Sequence, residues 1–164
     1  RFLAGVGWPY GNSEVMPFEE QYFGGGSNDI RAWMVRTLGP GSYVQDTSLI
    51  QTADMKLEAN VEYRFKLFWI LEGALFVDAG NIWTVREDAD RPGSVFRLRS
   101  FADDIAVGTG LGLRFDLKFV LLRADFGLKV RDPRETDGSK WIPFNRPYNR
   151  KKDITMVIGI GYPF

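Results

Sequence analysis

The chain has neither cysteine nor histidine. Without cysteine there is no disulfide and no thiol chemistry. Without either residue there is no thiolate or imidazole metal site and no Ser-His or Cys-His catalytic pair. Carboxylate, Lys and Tyr are the only chemistry left, and neither an enzyme, a metal nor a cofactor is expected. No excess of one charge exists, because 21 Lys and Arg face 21 Asp and Glu. No global field therefore draws the chain onto nucleic acid, which is not an expected partner. No run approaches the roughly 20 apolar residues of a membrane helix. No signal peptide opens the chain, which starts inside what reads as a strand.

What is present is 18 Gly, 13 Phe, 6 Tyr and 5 Trp within an otherwise average 45% hydrophobic composition. Glycine-punctuated, aromatic-rich β-structure has this mixture. Residues 56–66 alternate almost without error. Leu57, Ala59, Val61, Tyr63 and Phe65 share one face; Lys56, Glu58, Asn60, Glu62, Arg64 and Lys66 share the other. Period two predicts a strand. Its polar face carries more charge than a dry core accepts, whereas a wet barrel lumen accepts it. A one-sided strand of a soluble sheet would show the same alternation, and this segment alone does not separate the two.

The pattern recurs over residues 69–81, 105–116, 119–129 and 154–164, with a shorter strand near residues 2–8. Phe76 and Asp78 fall on the polar face of the second long strand, Gly108, Gly110, Gly112 and Arg114 on that of the third, and Arg123, Asp125, Gly127 and Lys129 on that of the fourth. In the last, Ile154, Met156, Ile158, Ile160, Tyr162 and Phe164 share one side. Very short joins near residues 67–68 and 116–118 alternate with long polar connections over about 84–104 and 130–152. That rhythm is expected of an outer-membrane barrel with short periplasmic turns, and less of a sandwich with turns of similar length. The fold class expected is all-β, six antiparallel strands of a transmembrane barrel.

Other patterns have plain readings. Gly24, Gly25 and Gly26 lack the Lys-Ser/Thr and the helix of a phosphate loop and read as a flexible turn. Asp88, Asp90, Asp103 and Asp104 lack the spacing of a calcium loop and read as solvated charge. Trp8, Tyr10, Trp69, Trp83, Trp141 and Tyr148 fall near strand ends or in loops, where some would form interfacial belts.

Three runs carry a resemblance. Residues 23–33 read FGGGSNDIRAW, residues 76–83 read FVDAGNIW, and the chain ends ITMVIGIGYPF. Together and in this order they resemble the BamA/TamA family of outer-membrane assembly factors. In that family a long loop between the eleventh and twelfth strands folds into the lumen and carries a V/I-R-G-F/Y motif; Ile30-Arg31-Ala32-Trp33 is similar in three of four positions, with Ala32 where glycine is usual. The aromatic-x-Asp-x-Gly of the thirteenth strand is matched by Phe76, Asp78 and Gly80. The terminal strand resembles a barrel targeting signal, with Ile160, Tyr162 and Phe164 carrying it and Pro163 as a departure. The run RTLGPGSY further resembles the TamA-like branch found in Bacteroidetes.

The resemblance implies that residues 1–164 are the last six strands of a sixteen-stranded barrel in the bacterial outer membrane, with an inserted loop at about residues 9–53 and with N-terminal strands and periplasmic domains elsewhere in a longer protein. It implies a non-enzymatic factor that inserts or exports other proteins, with outer-membrane lipid, unfolded outer-membrane or exported proteins and periplasmic or lipoprotein accessory subunits as partners. The lock expected is Arg31 on Asp78 and Phe76. A passive porin or receptor barrel is the alternative, and the barrel anchor of an attached lipase-like domain is a third reading.

Overall fold

The computed structural model describes residues 1–12, 16–44 and 50–162. Six strands form one sheet in sequence order: β1 (Phe2–Val6), β2 (Met55–Phe68), β3 (Leu71–Trp83), β4 (Ala106–Asp116), β5 (Leu121–Arg131) and β6 (Ile154–Ile160). Every neighbouring pair is antiparallel. The order is a meander, so each strand needs only the one before it as a template. β2 to β5 are 11 to 14 residues long, enough for a tilted strand to cross a bilayer, which takes about 9–11.

Residues 69–70 join β2 to β3 and residues 117–120 join β4 to β5, at one end of the sheet. Residues 84–105 and 132–153 connect at the other end. The second of these holds two helical turns, α1 (Ile142–Asn145) and α2 (Arg150–Asp153). Residues 7–54 link β1 to β2.

The sheet is inside out relative to a soluble one. Val61 is 70% exposed and Ile158 72%, while Asp78, Arg114 and Asp125 on the opposite face are 0% exposed. Leu75, Val77, Leu111, Phe126 and Met156 join the exposed apolar face, and Glu58, Asn60 and Arg123 the buried polar one. Water on the apolar side would be unfavourable at about 25 cal/mol per Å²; hydrocarbon there removes that cost. The alternation read from the sequence thus holds, and the apolar faces are the outward ones.

The polar face is buried because the β1–β2 connection lies on it. The compact apolar cluster among the described residues is Ile30, Ala32, Trp33, Leu38 and Ala106: four residues from that connection and one from the start of β4. Gly24, Gly25 and Gly26, expected as a flexible turn, are instead buried in this packing. Gly25 and Gly26 have φ of 91° and 106°, and a Cβ on Gly25 would stand 2.3 Å from the Met34 carbonyl oxygen. Glycine is needed there for close backbone approach.

The last strand stops early. Gly161 has φ of 81°, which breaks the alternation after Ile160. Tyr162, expected to continue the outward row, instead receives the Arg64 guanidinium 4.5 Å from its ring centroid. Arg64 belongs to the charged face of β2, so the side chain of Tyr162 turns to the polar side of the sheet. Pro163 and Phe164 lie outside the described residues.

Candidate functional site: a loop seated on the polar face

Ile30 to Trp33 form a turn closed by the Trp33 N–H donating to the Ile30 carbonyl at 3.1 Å. The Gly26 N–H donates to the Trp33 carbonyl at 2.9 Å and ties the turn to the glycine run. This geometry sends Arg31 toward the sheet. Its Nε donates to Asp78 Oδ2 at 2.8 Å and its Nη2 to Asp78 Oδ1 at 2.8 Å; its backbone N–H donates to Oδ2 at 3.1 Å. The fork of the guanidinium matches the carboxylate, an arrangement stronger than a single neutral hydrogen bond. The guanidinium carbon lies 3.6 Å from the centroid of the Phe76 ring, a close cation–π contact in a dry setting. Phe76 and Asp78 can both reach Arg31 because they are two residues apart on one strand and share a face.

Asp78 takes a fourth donor, Asn60 Nδ2 at 3.2 Å, which also donates to the Asp29 carbonyl at 3.2 Å. Arg31 Nη1 turns the other way and donates to Glu62. Glu62 also accepts from Arg114 Nη2 at 2.9 Å and Arg64 Nε at 2.6 Å, and Arg114 Nη1 donates to Asp125 at 2.5 Å. One chain of alternating charges thus runs from the loop across β3, β2, β4 and β5. Arg123 closes it by donating to Asn28 of the loop. Asp29 accepts from the Ile30 N–H at 2.8 Å and from Lys56 Nζ at 2.5 Å. Burial pushes its carboxyl up to about 7, against the pull of Lys56 and with the like charge of Glu58 adding to the rise.

Glycines on the inner face supply the room. A Cβ on Gly127 would stand 2.5 Å from the Arg31 carbonyl oxygen and 2.7 Å from the Ala32 Cα; one on Gly108 would stand 2.5 Å from the Ala32 Cβ. A Cβ on Gly110 would meet the Phe76 ring at 2.4 Å, and one on Gly80 the Ile30 side chain at 3.1 Å. Ala32 is not among the residues with positive φ, so alanine suits its backbone, and its methyl faces Gly108. Trp33 is 1% exposed, with Lys129 Nζ 5.0 Å from its ring centroid.

Residues 1–160 match the Omp85 superfamily domain. The chain belongs to the Omp85 superfamily. It is also 33% identical over 88 residues to the outer membrane protein assembly factor BamA of Neisseria meningitidis serogroup B, strain MC58, a match that covers 48% of this chain and 11% of that relative. The chain thus spans only a small part of the length of that relative. Membership of the Omp85 superfamily makes it a bacterial outer-membrane barrel protein.

The structure brings Ile30, Arg31, Ala32, Trp33, Phe76, Asp78 and Gly80 into one site. It leaves Ile160 on the outward face and Tyr162 turned inward. Sequence reading missed several residues that hold this loop in place. Thr155 Oγ1 donates to the Ala32 carbonyl at 2.9 Å and fastens the loop to β6. Arg134 donates to the Thr37 carbonyl at 2.9 Å and also holds Asp132 through both carboxylate oxygens, at 3.1 and 3.2 Å. Burial works to raise the Asp132 carboxyl, but the charges and hydrogen bonds of Arg134 and Lys129 win and hold it down to about 2. The spacing of Gly108, Gly110 and Gly112, every second residue on the polar face, was the signal available for the cradle.

Of the acidic residues expected to be solvated, Asp88 pairs with Arg91 at 2.7 Å and Asp104 accepts from Trp83 Nε1 at 3.3 Å. Trp83, one of the aromatics expected near strand ends or in loops, is the last residue of β3, is 0% exposed and packs edge-on against Phe96; Trp69 is fully exposed at the β2–β3 turn.

Proposed function

We propose that this chain is the C-terminal portion of a sixteen-stranded barrel that inserts or exports other proteins at the outer membrane, and that the loop seated by Arg31 stiffens the wall it lies on. The observation that carries this reading is the Arg31 fork on Asp78 with its stack on Phe76, a buried lock that a passive pore does not need. A loop occupying the polar face leaves less room for diffusing solutes, which counts against the porin reading. Substrate recognition at a strand edge uses main-chain hydrogen bonds and needs no catalytic residue. Unfolded outer-membrane or exported proteins are the proposed substrates, with periplasmic or lipoprotein subunits as accessory partners. The run RTLGPGSY supports a place in the TamA-like branch.

The test is reconstitution of the full-length protein in liposomes with an unfolded barrel substrate, comparing wild type with Arg31→Ala. Slower substrate folding in the variant is the expected result, whether or not sugar permeation changes with the loosened loop. Unchanged folding with increased permeation would favour the porin reading.

A further inference from the structure

The connection between β5 and β6 has a composition unlike the other long connection at the same end. Residues 132–153 hold six basic and four acidic side chains, whereas residues 84–105 hold four basic and five acidic. Its last turn, α2, places Arg150, Lys151 and Lys152 in succession, all exposed. The acid of that turn, Asp153, does not neutralise them. It is 1% exposed, and its carboxylate is taken by Arg146 at 2.7 and 3.0 Å and by the Asn149 N–H at 2.7 Å. Among the described residues, no acidic side chain pairs with Arg150, Lys151 or Lys152.

The turn is held in place. Asn149 Oδ1 accepts from the Lys151 N–H at 3.0 Å, and its carbonyl accepts from Lys152 and Asp153. Arg146 also spans Glu135 at 2.9 and 3.1 Å, which fastens the connection across its own width. Ile142 is fully buried beneath it, while Trp141, Phe144 and Tyr148 stay exposed, Phe144 at 85%. Exposed aromatics beside unpaired cations mark a segment at a membrane–water boundary. β6 starts at the very next residue, and its outward row of Ile154, Met156, Ile158 and Ile160 marks where hydrocarbon begins. Two residues of chain separate Lys152 from that start, at most about 7 Å even if extended, within the reach of headgroup charge at physiological salt.

We infer that residues 141–153 form a docking surface for anionic, phosphate-bearing lipid headgroups, with Arg150, Lys151 and Lys152 as the cations and Trp141, Phe144 and Tyr148 as the interfacial contacts. The short connections at the far end of the sheet are of the periplasmic kind, so the lipid met here is that of the outer leaflet. Nothing in this inference depends on the assembly activity; it depends on the barrel.

The experiment is native mass spectrometry of the delipidated full-length protein titrated with lipid A. Neutralising Arg150, Lys151 and Lys152 together to Gln should lower retained lipid on the order of tenfold or more, since each cation near an anionic surface contributes on the order of a factor of five. Exchanging Lys151 and Lys152 for Arg, which keeps the charge, should restore it. K66Q/K118Q, at the opposite end, should leave retention unchanged, and excess inorganic phosphate should not compete. Equal retention in the triple variant, an equal loss in K66Q/K118Q, or displacement by inorganic phosphate would each overturn the inference.

Discussion

Arg31 and Asp78, 47 residues apart in the chain, are joined by three hydrogen bonds in which one residue supplies every donor and one carboxylate every acceptor. Backbone and side chain of Arg31 are engaged together, so the loop cannot slide along β3 without breaking all three. Arg31→Ala should cost about 3–5 kcal/mol locally, because it leaves Asp78 charged and buried. Arg31→Lys should recover little, since an ammonium reproduces neither the fork nor the stack on Phe76. Limited proteolysis of residues 7–54 in the folded protein measures this directly; a wild-type cleavage rate in Arg31→Ala would remove the lock from the account.

Gly127 should also be sensitive although it carries no charge. A single methyl there meets backbone atoms of Arg31 and Ala32, which cannot rotate away as a side chain would. Gly127→Ala is expected to lose about 1–3 kcal/mol and to release the loop to protease. Gly11→Ala, whose Cβ would meet no atom within 4 Å, separates crowding from glycine loss in general, apart from the strain of its φ of 68°.

Thr155→Val keeps the shape of the side chain and removes the donor to the Ala32 carbonyl. The expected loss is about 1 kcal/mol, confined to the contact between loop and last strand. A disulfide-trapping pair across Ala32 and Thr155, clean in a chain without native cysteine, would form efficiently if the two are apposed in the membrane. Absence of trapping, with trapping retained between positions 31 and 78, would detach β6 from the seat.

Much of this was legible in the sequence, and the reason is geometric. Strict period two over residues 56–66 fixes which side chains share a face, and the charge on that face tells which side is not hydrocarbon. Arg31, Phe76 and Asp78 could be matched because each belongs to a short run of distinct residue types. The cradle was not legible in the same way, since Gly108, Gly110 and Gly127 state only that no side chain is present and not what fills the space. The turn of Tyr162 was missed because it depends on one dihedral, at Gly161, that side-chain alternation does not report. Thr155 was missed because a hydroxyl on an outer strand gives no pattern of its own.

A pH dependence follows from Asp132. Its carboxyl titrates near 2 in the folded chain against an ordinary 3.8, so the unfolded chain binds the proton more readily. The stabilisation is therefore complete above about pH 4 and disappears as pH falls through about 2. Unfolding midpoints followed downward from about pH 5 should drop across that window, and Asp132→Asn should flatten the drop. An unchanged slope in the variant would assign acid sensitivity to other carboxylates.

The outward rows of Val61, Val77, Leu111, Phe126 and Ile158 stay 45–72% exposed, and among the described residues no second layer covers them. Half of the folding instruction is thus written in the medium, and a melting temperature for this sheet belongs to a chain-plus-amphiphile pair. Detergents of shorter tail should shift it without any change of sequence, in the way that a solvent shifts a solute's solubility.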